Sequence, residues 1–394
     1  MGSTAMQAFG DVVGARAWSR RMAELARSIA ASPHAGRALV QRHALELTLD
    51  RLRAGLNRPP GVAERRLLDL VGEIVSAYAG LTRIGRERLR AMLRAALSAD
   101  NTLVPVLHLM RTAALQRARG FDVHFAGLED DAPFDLLISR DGVEAEMACD
   151  VVSAEAGRDV HRGAWVRLMD RVDPDLQIWL AAHPGRYILK LTLPQGLRSD
   201  DGGQIRLAEL HDRIRVLLTT QRRADQDEAA VLRLDPLMLA AAQADELGLM
   251  SSLRREFGHE AHLAVTASGG AVFAMAARAG REDEVAVAIR HRMAELAPTR
   301  LTGTRPGILA MFVEDTDRAE WRHLRDRLEL EGEARQFLTN KQARQVVAVT
   351  CASRLELLGV AAPDAASDGE LRFRNPSHPA ARMAALAPAV LSSV

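Results

Sequence analysis

The sequence predicts an α/β fold in which a helical N-terminal region precedes a mixed sheet with helices on both faces. Three observations predict it. Apolar residues recur at helical spacing through the first hundred positions, the pattern then changes to period two, and beyond position 186 strand-like and helix-like segments alternate. At 394 residues the chain is long enough for more than one compact unit.

Helical spacing runs over 14–31, 35–56 and 62–78, with Arg and Glu filling the polar faces. A break at 57–61, Asn-Arg-Pro-Pro-Gly, separates the last two. A helix over 86–97 ends near Asp100-Asn101, a pair suited to capping the next helix. That helix, 103–119, closes at Gly120, the residue type favoured just past a helix end. Period-two segments follow at 121–126, 134–138 and 143–152, the last two joined through Asp141-Gly142, a strong hairpin signal. A helix over 158–182 carries Trp165, Leu168, Met169, Val172 and Leu176 on one face, with Asp173-Pro174 as a potential interruption. Strands are then expected at 186–193, 229–234, 262–267, 271–277, 308–314 and 345–352, and helices at 207–223, 245–257, 282–296 and 319–338. The domain reading is a helical region over 1–100, an α/β domain over 101–360, and a loosely ordered Ala/Pro/Ser-rich tail over 361–394.

Composition narrows the function classes. Apolar residues at 48% and charged residues at 26% are ordinary globular values. Aromatic residues at 4% argue against a base-stacking platform. The net charge of +1 conceals an asymmetry, with +7 over residues 1–100 and −6 over the remainder. Such a basic region suits phosphates or an acidic partner, and equally a set of solvated helix faces. Lys190 and Lys341 are the only lysines. Cys149 and Cys351 are too few for a disulfide framework, and no Cys/His spacing suggests zinc, so a reducing, cytoplasmic setting is expected. Neither a secretory leader nor a membrane span is read from the sequence.

The segment 107–162, with Pro133-Phe134-Asp135 ahead of the hairpin and Glu144, Glu146, Ala148 and Asp150 alternating along its second strand, resembles the core of the PD-(D/E)xK nuclease superfamily, known also as restriction-endonuclease-like. The resemblance covers about 103–182. It implies carboxylates on adjacent strands that hold Mg²⁺ against the scissile phosphate, and a lysine that positions water. Asp135 stands at the first acidic position, and a turn centred on Arg140-Asp141 sets it opposite Glu146. In one register the family's Glu and Lys positions fall on Ala148 and Asp150; in the other, on Glu146 and Ala148. Both lack the lysine. A further acidic position of the family falls on His108 or Leu109.

The implied site is therefore Asp135, Glu146 and Asp150 as catalytic and metal-binding carboxylates, with Lys190 as a substitute for the missing lysine or simply a solvent-directed strand residue. Arg158, His161 and Arg162 are candidates for nucleic-acid phosphate, or for capping and solvating their own helix. Three functions follow: a nuclease fold with a decayed site that binds DNA, another nucleic acid or a protein; an active Mg²⁺-dependent endonuclease; or a scaffold that dimerises through its helical arm. Ser268-Gly269-Gly270 reads as a hairpin turn rather than a phosphate loop, and the acidic run 314–317 as a helix cap.

Overall fold

The computed structural model describes residues 2–55, 58–199, 201–238, 246–358 and 370–393. Residues 361–369 of the tail, Asn57 of the break and the first residue of the expected 245–257 helix lie outside these. The protein is an α/β chain with a helical N-terminal region and two mixed sheets. No helix among the described residues is long and apolar enough to cross a membrane.

Eleven strands are described: β1 (Asp122–His124), β2 (Leu136–Arg140), β3 (Val143–Ser153), β4 (Arg186–Leu193), β5 (Ala224–Gln226), β6 (Val231–Pro236), β7 (His262–Ser268), β8 (Ala271–Ala279), β9 (Gly307–Glu314), β10 (Val346–Ser353) and β11 (Leu371–Arg374). They form one sheet of order β1-β2-β3-β9-β10-β11 and another of order β5-β6-β4-β8-β7. The single domain expected over 101–360 is thus two compact units. One comprises Met1–Arg27, Val40–Ala154 and Ala286–Val394; the other comprises Ser28–Leu39 and Glu155–Val285.

In the first unit, the helices Gly2–Val13, Ala44–Ala54, Val62–Gly80, Arg83–Ala96 and Val104–Ala118 precede the sheet. Val62–Gly80 buries Leu67, Leu70, Val71, Ile74 and Ala77, the one-sided spacing that a 3.6-residue repeat requires. The Glu64 carboxylate accepts the Gly61 N–H at 2.7 Å, which satisfies an orphan donor at the helix start. Gly2–Val13 was not foreseen; it buries Met6, Phe9, Val12 and Val13, and Phe9 meets Trp18 edge to face. Inside the sheet β9 and β10 are buried at every residue and paired in parallel, which is why both read as near-continuous apolar runs.

The tail departs from expectation. Leu371–Arg374 pairs antiparallel with β10, and Leu386, Ala389 and Val390 are wholly buried. Its Ala and Pro content hides an alternating Leu371/Phe373 pair that completes the sheet edge. The expected helix 319–338 is two, Arg318–Asp326 and Glu329–Leu338, separated at Leu328, whose φ is +58°. Asp317 caps the first by accepting the Glu320 N–H at 2.9 Å.

In the second unit, helix Arg162–Ala182 runs through Pro174 without breaking and packs beside Asp201–Thr219 on one sheet face, over Leu189, Leu191, Leu232, Phe273 and Met275. Leu249 and Leu253, on helix Glu246–Phe257, cover Ile188, Ala274 and Ala276. Gly269 and Gly270, at φ +56° and +85°, form the tight turn of the β7–β8 hairpin.

Candidate functional site

The β2–β3 hairpin exists, with a register shifted from expectation. Arg140 pairs with Val143 and Leu137 with Glu146, so the turn is Asp141-Gly142 and Asp135 lies one ladder step beyond Leu136↔Met147, across from Ala148. Both turn residues have positive φ, +51° and +76°, the geometry a two-residue hairpin turn demands and an Asp-Gly pair supplies. Side chains alternate along a strand, so Asp135, Glu146 and Asp150 still belong to one sheet face, with Glu146 and Asp150 on either side of the Asp135–Ala148 pair.

Each carboxylate on that face is already engaged. Asp135 accepts Nη2 of Arg300 at 2.8 Å and the Cys149 N–H at 2.7 Å. Asp150 takes a two-pronged contact from Arg292, Nε at 2.7 Å and Nη2 at 3.2 Å, the fork geometry in which guanidinium and carboxylate bind most strongly. Glu146 is fully buried; it accepts the Thr302 N–H at 2.8 Å and the Thr302 hydroxyl, with Arg305 at 3.8 Å. Arg305 also holds Glu144 at 2.6 Å. Apart from the Cys149 N–H of β3, these partners come from one stretch, helix Val285–Arg300 and the loop that leads into β9.

Electrostatics follow from burial and proximity. Burial raises the Asp135 pKa above the ordinary carboxylate value and the Asp150 charge adds to the rise, while Arg300 and the Cys149 N–H oppose it. Cys149 has its thiol pushed well up by burial. His108, on helix Val104–Ala118, donates from Nε2 to the Ala310 carbonyl at 2.8 Å, and burial lowers its pKa to about 4, so at neutral pH it is uncharged.

The chain matches no protein-family model, no curated protein and no solved structure.

These residues do not fit a Mg²⁺ site. A hard divalent cation needs several free oxygen ligands, and here arginine, threonine and backbone N–H donors occupy the carboxylates. Among the described residues no three His, Cys, Asp or Glu side chains are grouped to hold a metal ion.

The remaining expected site residues lie in the second unit. Lys190, on β4, makes an ion pair with Asp235 at 3.2 Å and lies 5.9 Å from the centre of the Phe257 ring. Arg158 is buried and bonded to Glu155, with Asp283 at 3.9 Å. His161 is the cap residue of helix Arg162–Ala182, and its Nδ1 accepts the Ser199 N–H at 3.3 Å. The Arg162 N–H donates to Glu155 at 2.7 Å, so a carboxylate of the protein itself occupies the place where this helix start would receive an anion. The structure thus brings Asp135, Glu146 and Asp150 onto one face and holds Lys190, Arg158, His161 and Arg162 in the other unit.

The sequence reading missed Arg292, Arg300, Thr302 and Arg305. A weak signal exists: Arg292 and Arg300 are eight residues apart, a little over two helical turns, so they fall toward the same side of one helix.

Proposed function

We propose that this protein binds nucleic acid through a nuclease-like fold without cleaving it. The observation that carries the reading is the pairing on the hairpin face, where Asp135, Glu146 and Asp150 are each answered by arginine or threonine donors. Three bare carboxylates would repel a phosphodiester backbone, and the three guanidinium groups remove that repulsion. The same pairing takes from the acids the lone pairs that metal-assisted hydrolysis needs. The basic N-terminal region adds long-range attraction for a polyanion.

Labelled single- and double-stranded DNA and RNA, with Mg²⁺ or Mn²⁺ present, test this. The expected result is binding whose affinity falls steeply with salt as counterions are released, and intact substrate after prolonged incubation. Robust cleavage abolished by Asp135→Ala overturns the non-cleaving part. Absence of binding at low salt overturns the nucleic-acid part and leaves a protein partner of the helical region as the function to pursue.

A further inference from the structure

A cleft of about 660 Å³ opens in the first unit between the loop that enters β9, the short 3₁₀ turn Lys341–Ala343 and the turn Pro379–Arg382. Its lining holds Arg305, which is paired with Glu144, together with Lys341, Arg344 and His378, and no acidic residue among the described residues. In a protein whose arginines are so widely ion-paired, Lys341 and Arg344 have no ion pair or side-chain hydrogen bond among the described residues. Their spacing matters. Arg344 is the C-cap of the 3₁₀ turn, three residues after Lys341, a spacing that sets the two side chains toward the same side, so an anion between them would meet two positive charges.

His378 is a further basic group of the lining. Nδ1 of His378 accepts the Ala380 N–H at 3.1 Å, which leaves its proton on Nε2. Burial also lowers the His378 pKa. The opposite character is present in the same cleft: Pro298, Pro306, Pro379 and the 43% exposed Met383 give it an apolar wall. The framework is fixed, because the Gln345 carbonyl accepts the Gly307 N–H at 2.8 Å and its side-chain amide donates to Ala297 and Leu301. Gly303, at φ +75°, permits the close approach, since a Cβ there would stand 2.8 Å from the Gln345 side-chain oxygen.

We infer that this cleft is a binding site for a phosphate ester, the phosphate seated on Lys341 and Arg344 and the organic part resting on Met383 and the prolines. A nucleoside phosphate has both parts, and it can arrive as a free nucleotide or as a residue of a strand. The assignment goes beyond the function proposed above, because it holds whether or not the hairpin face meets nucleic acid.

The test uses the full chain and two fluorescent probes, labelled AMP and a labelled twelve-residue oligodeoxynucleotide, read by anisotropy across a salt series. Lys341→Met/Arg344→Gln is compared with the wild type and with Arg222→Gln/Arg223→Gln, which removes the same charge from exposed positions outside the cleft and outside the basic N-terminal region; thermal melts confirm that all are folded. The expected result is at least a tenfold loss of affinity in the cleft variant alone. With the oligonucleotide the slope of log K against log salt also becomes shallower by about 1.4, the value for two lost contacts to a single strand. Lys341→Arg retains binding. Binding of AMP marks a small-molecule site and binding of the oligonucleotide alone marks a strand site, and either carries the inference when the cleft variant loses it. Equal affinity in the cleft variant and the wild type, equal losses in the cleft and control variants, or no binding of either probe by the wild type, overturns it. Oligonucleotide binding that survives in the cleft variant, with AMP unbound or bound equally by both proteins, sinks this site while leaving the proposed function intact.

Discussion

Replacing Arg300 by Met gives the sharpest test of how the carboxylate face is held. The substitution keeps much of the aliphatic length and removes the 2.8 Å contact to Asp135 and the bond to the Pro133 carbonyl. Asp135 retains the Cys149 N–H, and about a fifth of its side chain stays exposed, against about a third of Arg300. A hydrogen bond to a charged group contributes about 1.5–3 kcal/mol, and this partial exposure places the expected loss near the lower end. In a unit of this size that lowers the melting temperature by roughly 3–6 °C. The sign with pH follows from linkage. The native Asp135 carboxyl holds its proton more tightly than the unfolded chain does, so stability falls as pH rises through the window between the ordinary carboxylate value and the raised one. Losing Arg300 raises that pKa further, so the deficit of the variant is largest at neutral pH and shrinks as acid protonates the carboxyl. Urea unfolding from pH 7 downward measures it. In the cycle with Asp135→Asn, the double variant loses less than the sum of the singles. An Arg300→Met protein as stable as wild type at pH 7, or one whose deficit is constant with pH, refutes the reasoning.

Glu146→Gln keeps the shape but sets an amide donor against donors from Thr302, so a loss of about 1–2 kcal/mol is expected in chemical denaturation. His108 has a native pKa of about 4 against an ordinary 6.5, so the unfolded chain takes up the proton first and stability is lost as pH falls through that interval, by about 3 kcal/mol in all; His108→Leu flattens this acid limb in a pH series of urea midpoints. Leu328 holds a φ of +58° with its side chain 60% exposed, so Leu328→Gly relieves backbone strain without loss of packing and raises stability by about 0.5–1 kcal/mol in the same assay.

Local periodicity made most of the helices legible, because a one-sided apolar stripe such as Leu67, Leu70, Val71 and Ile74 is written within a single segment. The β2–β3 hairpin was legible for a similar reason, through Asp141-Gly142. Its register was misread by one turn position, since the choice between Arg140-Asp141 and Asp141-Gly142 depends on which two residues take positive φ. What stayed hidden is non-local. β3 takes β9 as its parallel neighbour with Glu155–Val285 of the second unit between them in sequence, and no pattern within either strand names the other. The partners of the acids were hidden as well, because in a chain whose cations are nearly all arginine, Arg292 and Arg300 do not stand out. The tail was misjudged from composition, where the alternation of Leu371 and Phe373 was the better guide.

The interruption of the first unit by the second has a consequence during synthesis. When β3 leaves the ribosome, the strand that will flank it has not been made, and at roughly 5–20 residues per second the delay before β9 emerges is on the order of 10–30 s. Over that interval an apolar strand edge carrying Met147, Ala148 and Val152 has no native neighbour, the condition under which a nascent chain is most exposed to wrong partners. Ribosome-bound chains halted before and after β9 should therefore differ sharply in their need for chaperones.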